Sequence, residues 1–228
     1  NLTLSNSADL TLEGNNLTVN GNLEIGSGTN LRDNTKIINV SGNIVNSGNH
    51  VRPSAAAGRI VLTGTAAQTI SGDGDGRFNN ISIDKTGGTV TVLNNITVNG
   101  NLRLISNHRL NIGANLLTMG SDSRVYSSTS TDEVFNSNKM ILTSGLGSDD
   151  GVMKSFAASG TFVYPYGFYN SANTTYYYLP STITYSGSVS GTVTSRPVND
   201  RHPLTQGLAN ALNLYWKNKT TERFLSIT

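Results

Sequence analysis

Few side chains in this 228-residue chain have types and spacings that suit chemistry. There is no Cys, and the three His, at positions 50, 108 and 202, are too scattered for a His-rich metal site. Asp73-Gly-Asp75-Gly alternates carboxylates with permissive glycines. Such a loop can wrap a calcium ion or simply turn the chain, and no Glu stands at the distance an EF-hand needs. Asp149-Asp150 is a weaker version of the same signal. Asp200, Arg201 and His202 are consecutive, so along a strand they cannot face one another as a triad. No G-x-S-x-G elbow occurs. The richest cluster is aromatic: Tyr164, Tyr166, Tyr169, Tyr176, Tyr177 and Tyr178. Two readings stay open. Exposed rings at Tyr164, Tyr166, Tyr169 and Tyr177 form a platform for stacking on sugar rings, or alternate members such as Tyr176 and Tyr178 fill a core while Tyr177 is exposed.

Composition narrows the function classes. Charged residues make up 13% of the chain, and the net charge is +2. No Lys/Arg cluster supplies the footprint of a nucleic-acid binder, and no apolar run reaches the length of a membrane-spanning helix. Asn, Ser, Thr and Gly dominate, a bias that disordered chains share, but regular apolar spacing argues for a packed core.

That spacing repeats. Leu17-Thr-Val-Asn-Gly-Asn-Leu-Glu-Ile25 recurs as Ile96-Thr-Val-Asn-Gly-Asn-Leu-Arg-Leu104. A finer period of about 21 aligns Leu2, Leu23 and Ile44; Asn1, Asn22 and Asn43; and Gly21 with Gly42. It also aligns Leu17 and Val19 with Ile38 and Val40, Ile81 and Ile83 with Leu102 and Leu104, and Ile96 and Val98 with Leu117 and Met119. Within each period, apolar residues alternate at i and i+2 and are separated by Gly, Asn, Asp and Ser, the pattern of short strands and turns. Three strands per period predict an all-β, three-sided parallel β-helix over residues 1–150, about seven coils and on the order of 34 Å long. Asn at one point of successive coils predicts an amide ladder along the axis, Asn80 with Asn101 included. The period slips between about 49 and 77, where Val51 to Gly58, flanked by Arg52 and Arg59, reads as an inserted loop.

Composition shifts near residue 152. Only Phe78, Tyr126 and Phe135 of the aromatic residues precede it, and four of the five Pro follow it. Strands are expected over 161–166, 176–185, 189–196, 213–217 and 223–228, with a turn or loop at 204–212. Large aromatics on short strands predict a small β-sandwich over 151–228, with Trp216 in its core and Gly145 to Gly151 as the junction. The end in a strand-like run, Phe224 to Ile227, reads as a fragment of a longer protein.

Several of these residues carry a resemblance. Gly58-Arg-Ile-Val-Leu-Thr-Gly-Thr-Ala-Ala-Gln-Thr-Ile-Ser-Gly72, Phe78-Asn-Asn-Ile-Ser-Ile83, Ile96 to Leu104 and Leu116-Leu-Thr-Met-Gly120 look like the repeat regions of very large Bacteroidota surface proteins. Lys154-Ser-Phe156, Gly160-Thr-Phe-Val-Tyr-Pro-Tyr-Gly167, His202-Pro203 and Leu214-Tyr-Trp216 resemble a module that follows such repeats, with Tyr164-Pro-Tyr-Gly167 in place of a usual Phe-Pro-Val/Ile-Gly. The resemblance covers most of 58–217. It implies type IX secretion, cell-surface display and adhesive or structural roles, gliding adhesins being one subgroup.

The parallel β-helix also hosts polysaccharide lyases and hydrolases, which need carboxylates converging on one face. The alignment offers none: Glu24 maps onto Val45 and Asp9 onto Asn30, while Arg103 maps onto Arg124 and back onto Ser82 as a small basic strip. An outward row of Thr18, Asn39, Thr97 and Thr118 is too broken to order water. The expectation is a non-enzymatic, extracellular structural or adhesive segment: a stiff spacer presenting binding modules. It needs no cofactor unless calcium sits at Asp73 and Asp75. Its expected partners are other segments of the same surface protein, surface polysaccharide or secretion-system components, with no nucleic acid and no membrane insertion. The alternatives are a carbohydrate-binding module and a polysaccharide-active enzyme.

Overall fold

The computed structural model describes residues 1–51 and 58–200, and residues 224–227 as backbone strand only. The predicted 21-residue period becomes three stacks of parallel strands. The first face holds Leu2–Leu4, Leu23–Ile25, Ile44–Asn46, Gln68–Ser71, Val90–Val92, Leu110–Gly113, Ile141–Thr143 and Tyr166–Asn170. The second holds Asp9–Thr11, Asn30–Arg32, Asn49–Val51, Arg77–Phe78, Ile96–Val98, Leu116–Met119 and Gly151–Phe156. The third holds Leu17–Val19, Ile37–Val40, Arg59–Leu62, Ile81–Ile83, Leu102–Leu104 and Val125–Tyr126. The fold is a three-faced parallel β-solenoid of about eight turns.

The expected register holds. Leu2 pairs with Leu23 and Leu23 with Ile44, Leu17 with Ile38, Ile81 with Leu102 and Ile96 with Leu117. Side chains alternate across a strand and register partners lie on the same side, so both residues of each pair point inward and stacking turns them into continuous apolar rows. Leu23, Ile25, Leu31, Ile38, Ile44, Ile60, Leu102 and Leu117 have no exposed surface. Where the period slips, the ladder runs on: Ile70 pairs back to Ile44 and Arg77 to Asn49. Of the expected inserted loop, Val51 and Gly58 are described, while Arg52 and residues 53–57 lie outside the described residues.

The Asn ladder exists, with different chemistry from stacked side-chain amides. Each Asn carbonyl oxygen accepts a backbone N–H of the next coil. Asn1 Oδ1 accepts from Asn22 (2.7 Å), Asn22 Oδ1 from Asn43 (2.9 Å) and Asn43 Oδ1 from Thr69 (2.9 Å). Other corners repeat this: Asn16 to Ile37, Asn95 to Leu116, Asn80 to Asn101 and Asn101 to Arg124. At a corner the backbone bends out of its sheet, and the side chain supplies the acceptor that a straight ladder would have supplied. Gly42 shows how close the corners come. Its N–H donates to Gly21 O at 3.0 Å, and a Cβ there would overlap the Gly21 backbone.

The small β-sandwich expected over 151–228 is not confirmed. Among the described residues, the strands after 150 continue the solenoid and then close it. Gly151–Phe156 adds in parallel to the second face and Tyr166–Asn170 to the first. Antiparallel strands then finish two of the three ladders, Gly191–Val198 and Phe224–Ile227 on the second face and Thr175–Tyr178 on the first, while the third face ends at Val125–Tyr126. A two-stranded antiparallel ribbon, Gly160–Tyr164 with Ser181–Tyr185, lies beside them. Alternating aromatics suit a second sheet or the open end of a solenoid, and here they meet the end. Phe156, Phe162, Tyr164, Tyr166 and Phe168 are buried, and all but Phe168 join the same core cluster as the aliphatic rows. The expected strand at 213–217, the loop at 204–212, His202-Pro203 and Trp216 lie outside the described residues.

Candidate functional site

The tyrosines divide by burial. Tyr164 and Tyr166 have no exposed surface, which removes them from any sugar-stacking platform. Their hydroxyls are spent inside: Tyr164 donates to Val193 O at 2.9 Å, and Tyr166 bonds Ser195 Oγ at 2.6 Å and Ser181 Oγ at 2.8 Å. Burial raises both phenol pKa values, so these groups stay neutral hydrogen-bonding pins. Tyr177 is half-buried against Phe168, and its hydroxyl accepts from Asn173 Nδ2 at 2.6 Å. The expected pattern of exposed Tyr177 between buried Tyr176 and Tyr178 is therefore reversed at Tyr176, which is exposed, while Tyr178 is half-buried.

Tyr169 and Tyr176 face solvent, 40% and 38% exposed, and pair across the last two strands of the first face with ring centroids 4.7 Å apart. Arg109 stacks over Tyr176 at 3.5 Å from Cζ to the ring centroid. Its Nε donates to Ser137 O (2.5 Å) and its Nη2 to Asn138 Oδ1 (2.7 Å). This column clamps the antiparallel strand to the solenoid and is the one part of the tyrosine cluster that solvent reaches broadly among the described residues.

Asp73 and Asp75 form a turn. Asp73 Oδ1 accepts the Asp75 N–H at 3.0 Å, and the Asp73 N–H donates to Ser47 Oγ at 3.2 Å. This is the local side-chain-to-backbone bond that tight Asp turns favour. Among the described residues, no three His, Cys, Asp or Glu side chains come together in a way that could hold a metal ion. Asp149 lies almost wholly buried in the 145–151 turn and accepts the Leu146 N–H at 3.1 Å; burial raises its carboxyl pKa.

The outward rows hold no convergent carboxylates among the described residues. Glu24 pairs with Val45 and Asp9 with Asn30, as expected. Asp9 also bridges Arg32 at 3.1 Å on the surface. Arg103 pairs with Tyr126 rather than Arg124, because that coil is 23 residues long at its corner bond. Its guanidinium lies 4.8 Å over the Tyr126 ring and donates to Ser128 O and Ser130 O, so the basic strip does not form. Thr18 and Asn39 lie on the third face, Thr97 and Thr118 on the second.

The polar groups that alignment missed are inside. His50 stands in the inward row after Leu10 and Leu31, and Lys154 follows Met119 in the same face. His50 Nε2 donates to Asp33 Oδ2 at 3.0 Å, both side chains fully buried, and its Nδ1 accepts the Asn79 N–H at 3.3 Å. Asp33 Oδ1 accepts the Thr35 N–H at 3.0 Å, and a Cβ at Gly58 would overlap this carboxylate. Lys85 Nζ donates to Thr63 O, Ala66 O and Gln68 Oε1 at 3.3, 2.9 and 2.5 Å. Lys154 Nζ donates to the carbonyls of Gly120, Ser121 and Ser123 at 2.5, 2.6 and 2.9 Å. Burial pushes both ammonium groups down, and burial, then Arg124, brings Lys154 to about 8. These groups tie one coil to the next and are closed to substrate. The signal for His50 was present in its row position; for Lys154 it was hidden by the irregular stretch 120–150.

No helix of the described residues is long and apolar enough to cross a membrane. No protein family, curated protein or solved structure matches the chain.

Proposed function

We propose that the chain is a non-enzymatic segment of a large extracellular bacterial surface protein, a stiff β-solenoid spacer that holds adhesive modules away from the cell. The observation that carries this is the unbroken ladder, from Leu2–Leu4 to Tyr166–Asn170 on one face, with apolar rows inside and a closing plug of aromatics. A continuous ladder and core couple each coil to its neighbours and give a rod that resists bending. Bacteroidota origin, type IX export and a gliding-type adhesive context rest on the resemblance of the repeat and of 154–167 to such surface proteins. Its partners in this reading are other segments of the same protein, surface polysaccharide and secretion-system components.

A carbohydrate-binding reading keeps one observation in its favour, the solvent-facing Tyr169 and Tyr176 with Arg109 beside them. A glycan-array screen of the purified chain, with and without calcium, separates the two. The spacer reading predicts no reproducible hit. A saccharide hit that Tyr169→Ala abolishes would replace it with a lectin-like module.

A further inference from the structure

Among the described residues, two ring contacts join tyrosine to tyrosine. In one, Tyr164 with Tyr166, the centroids lie 5.9 Å apart and neither ring has exposed surface. Their hydroxyls are held by Val193 O and by the Ser181 and Ser195 hydroxyls. The other contact is open to solvent. Tyr169 and Tyr176 stand directly opposite each other on antiparallel strands, with centroids 4.7 Å apart and planes at 45°, and both rings are exposed. Directly opposed residues on one face stay together for as long as their strands stay paired. Arg109 stacks on Tyr176 and is tied to Ser137 O and Asn138 Oδ1, which holds that ring in place. Tyr126 instead lies under Arg103, Tyr177 against Phe168 and Tyr185 against Phe156.

We propose that Tyr169 and Tyr176 are a site of covalent cross-linking. A one-electron oxidant of the haem-peroxidase class, supplied with hydrogen peroxide, couples the two rings to dityrosine and fastens Thr175–Tyr178 to Tyr166–Asn170. Each phenol gives up one electron and its hydroxyl proton. The two radicals join by a carbon–carbon bond at a ring position beside each hydroxyl, and the hydrogens on those carbons move to oxygen to restore two phenols. In sum, two hydrogens leave the chain and reduce one hydrogen peroxide to two waters. The chain has no Cys, so no disulfide can staple these strands, and the aromatic pair supplies a staple of another kind. The inference goes beyond the spacer reading and rests on the ring geometry, so the glycan result leaves it untouched.

The test treats the full chain, at low concentration, with a haem peroxidase and hydrogen peroxide. The expected product is a monomer on a denaturing gel, lighter by two hydrogen atoms and carrying dityrosine fluorescence. Proteolysis of the unfolded product between Asn170 and Thr175 should leave the peptides on either side joined. Tyr169→Phe and Tyr176→Phe, which keep the rings, each abolish the link, whereas Tyr177→Phe retains it. An oxidised chain of unchanged mass, or one with oxygen added and no link, overturns the proposal. So does dityrosine confined to covalent dimers, because the rings would then couple between copies. A link within one chain that survives in Tyr169→Phe overturns it as well.

Discussion

At the residue scale, stability is held by polar side chains that serve the backbone. Asn22 is the plainest case: its N–H is taken by Asn1 and its Oδ1 takes the N–H of Asn43. Asn22→Ala removes an acceptor at an exposed corner and should cost about 1 kcal/mol in a denaturant titration, while Asn22→Asp keeps an oxygen there and should cost less. Equal losses for the two variants would show that the oxygen is not what matters. Lys154 gives a pH signature. Its folded-state value of about 8 lies below the ordinary 10.5, so between these pH values the folded chain holds fewer protons than the unfolded one. Stability from this group therefore rises as pH climbs from about 8 to about 10.5 and is lost as pH falls back through 8. The difference in denaturation midpoint between the wild type and Lys154→Met, followed from pH 7 to 10.5, should grow in favour of the wild type. A pH-independent difference would refute the assignment.

At the element scale, the cap is where hydroxyls and rings replace aliphatic stacking. Tyr166→Phe leaves the ring in place but strips the bonds to Ser181 and Ser195, and should cost about 1–2 kcal/mol by chemical denaturation. A neutral result would mean the two serines pair without it. The coils were legible because one period dictates both pattern and register: Leu2, Leu23 and Ile44 align in the sequence and stack in the fold. The cap was not. Tyr164 and Tyr166 alternate as sandwich residues do, and the sequence has no second copy of this segment to reveal that they face the end of a rod. Unequal coil lengths hid Arg103 opposite Tyr126 in the same way, since a fixed offset of 21 points to Arg124. Of the candidate site, the absence of an acidic pair at Glu24 and Asp9 was legible, but the burial of Tyr164 and Tyr166 required knowing what closes the solenoid.

At the scale of the whole molecule, the first and second faces carry the parallel ladder past residue 150, where the composition changes, so repeat and cap share one core. A rod built this way should behave as a single stiff body. The absence of Cys allows that to be measured by placing spin labels at Ser7→Cys and Ser148→Cys, two exposed positions at the same corner of the solenoid, six coils apart. Double electron–electron resonance should give one narrow distance distribution centred on the order of 30 Å. A broad or multi-peaked distribution would contradict the stiff spacer.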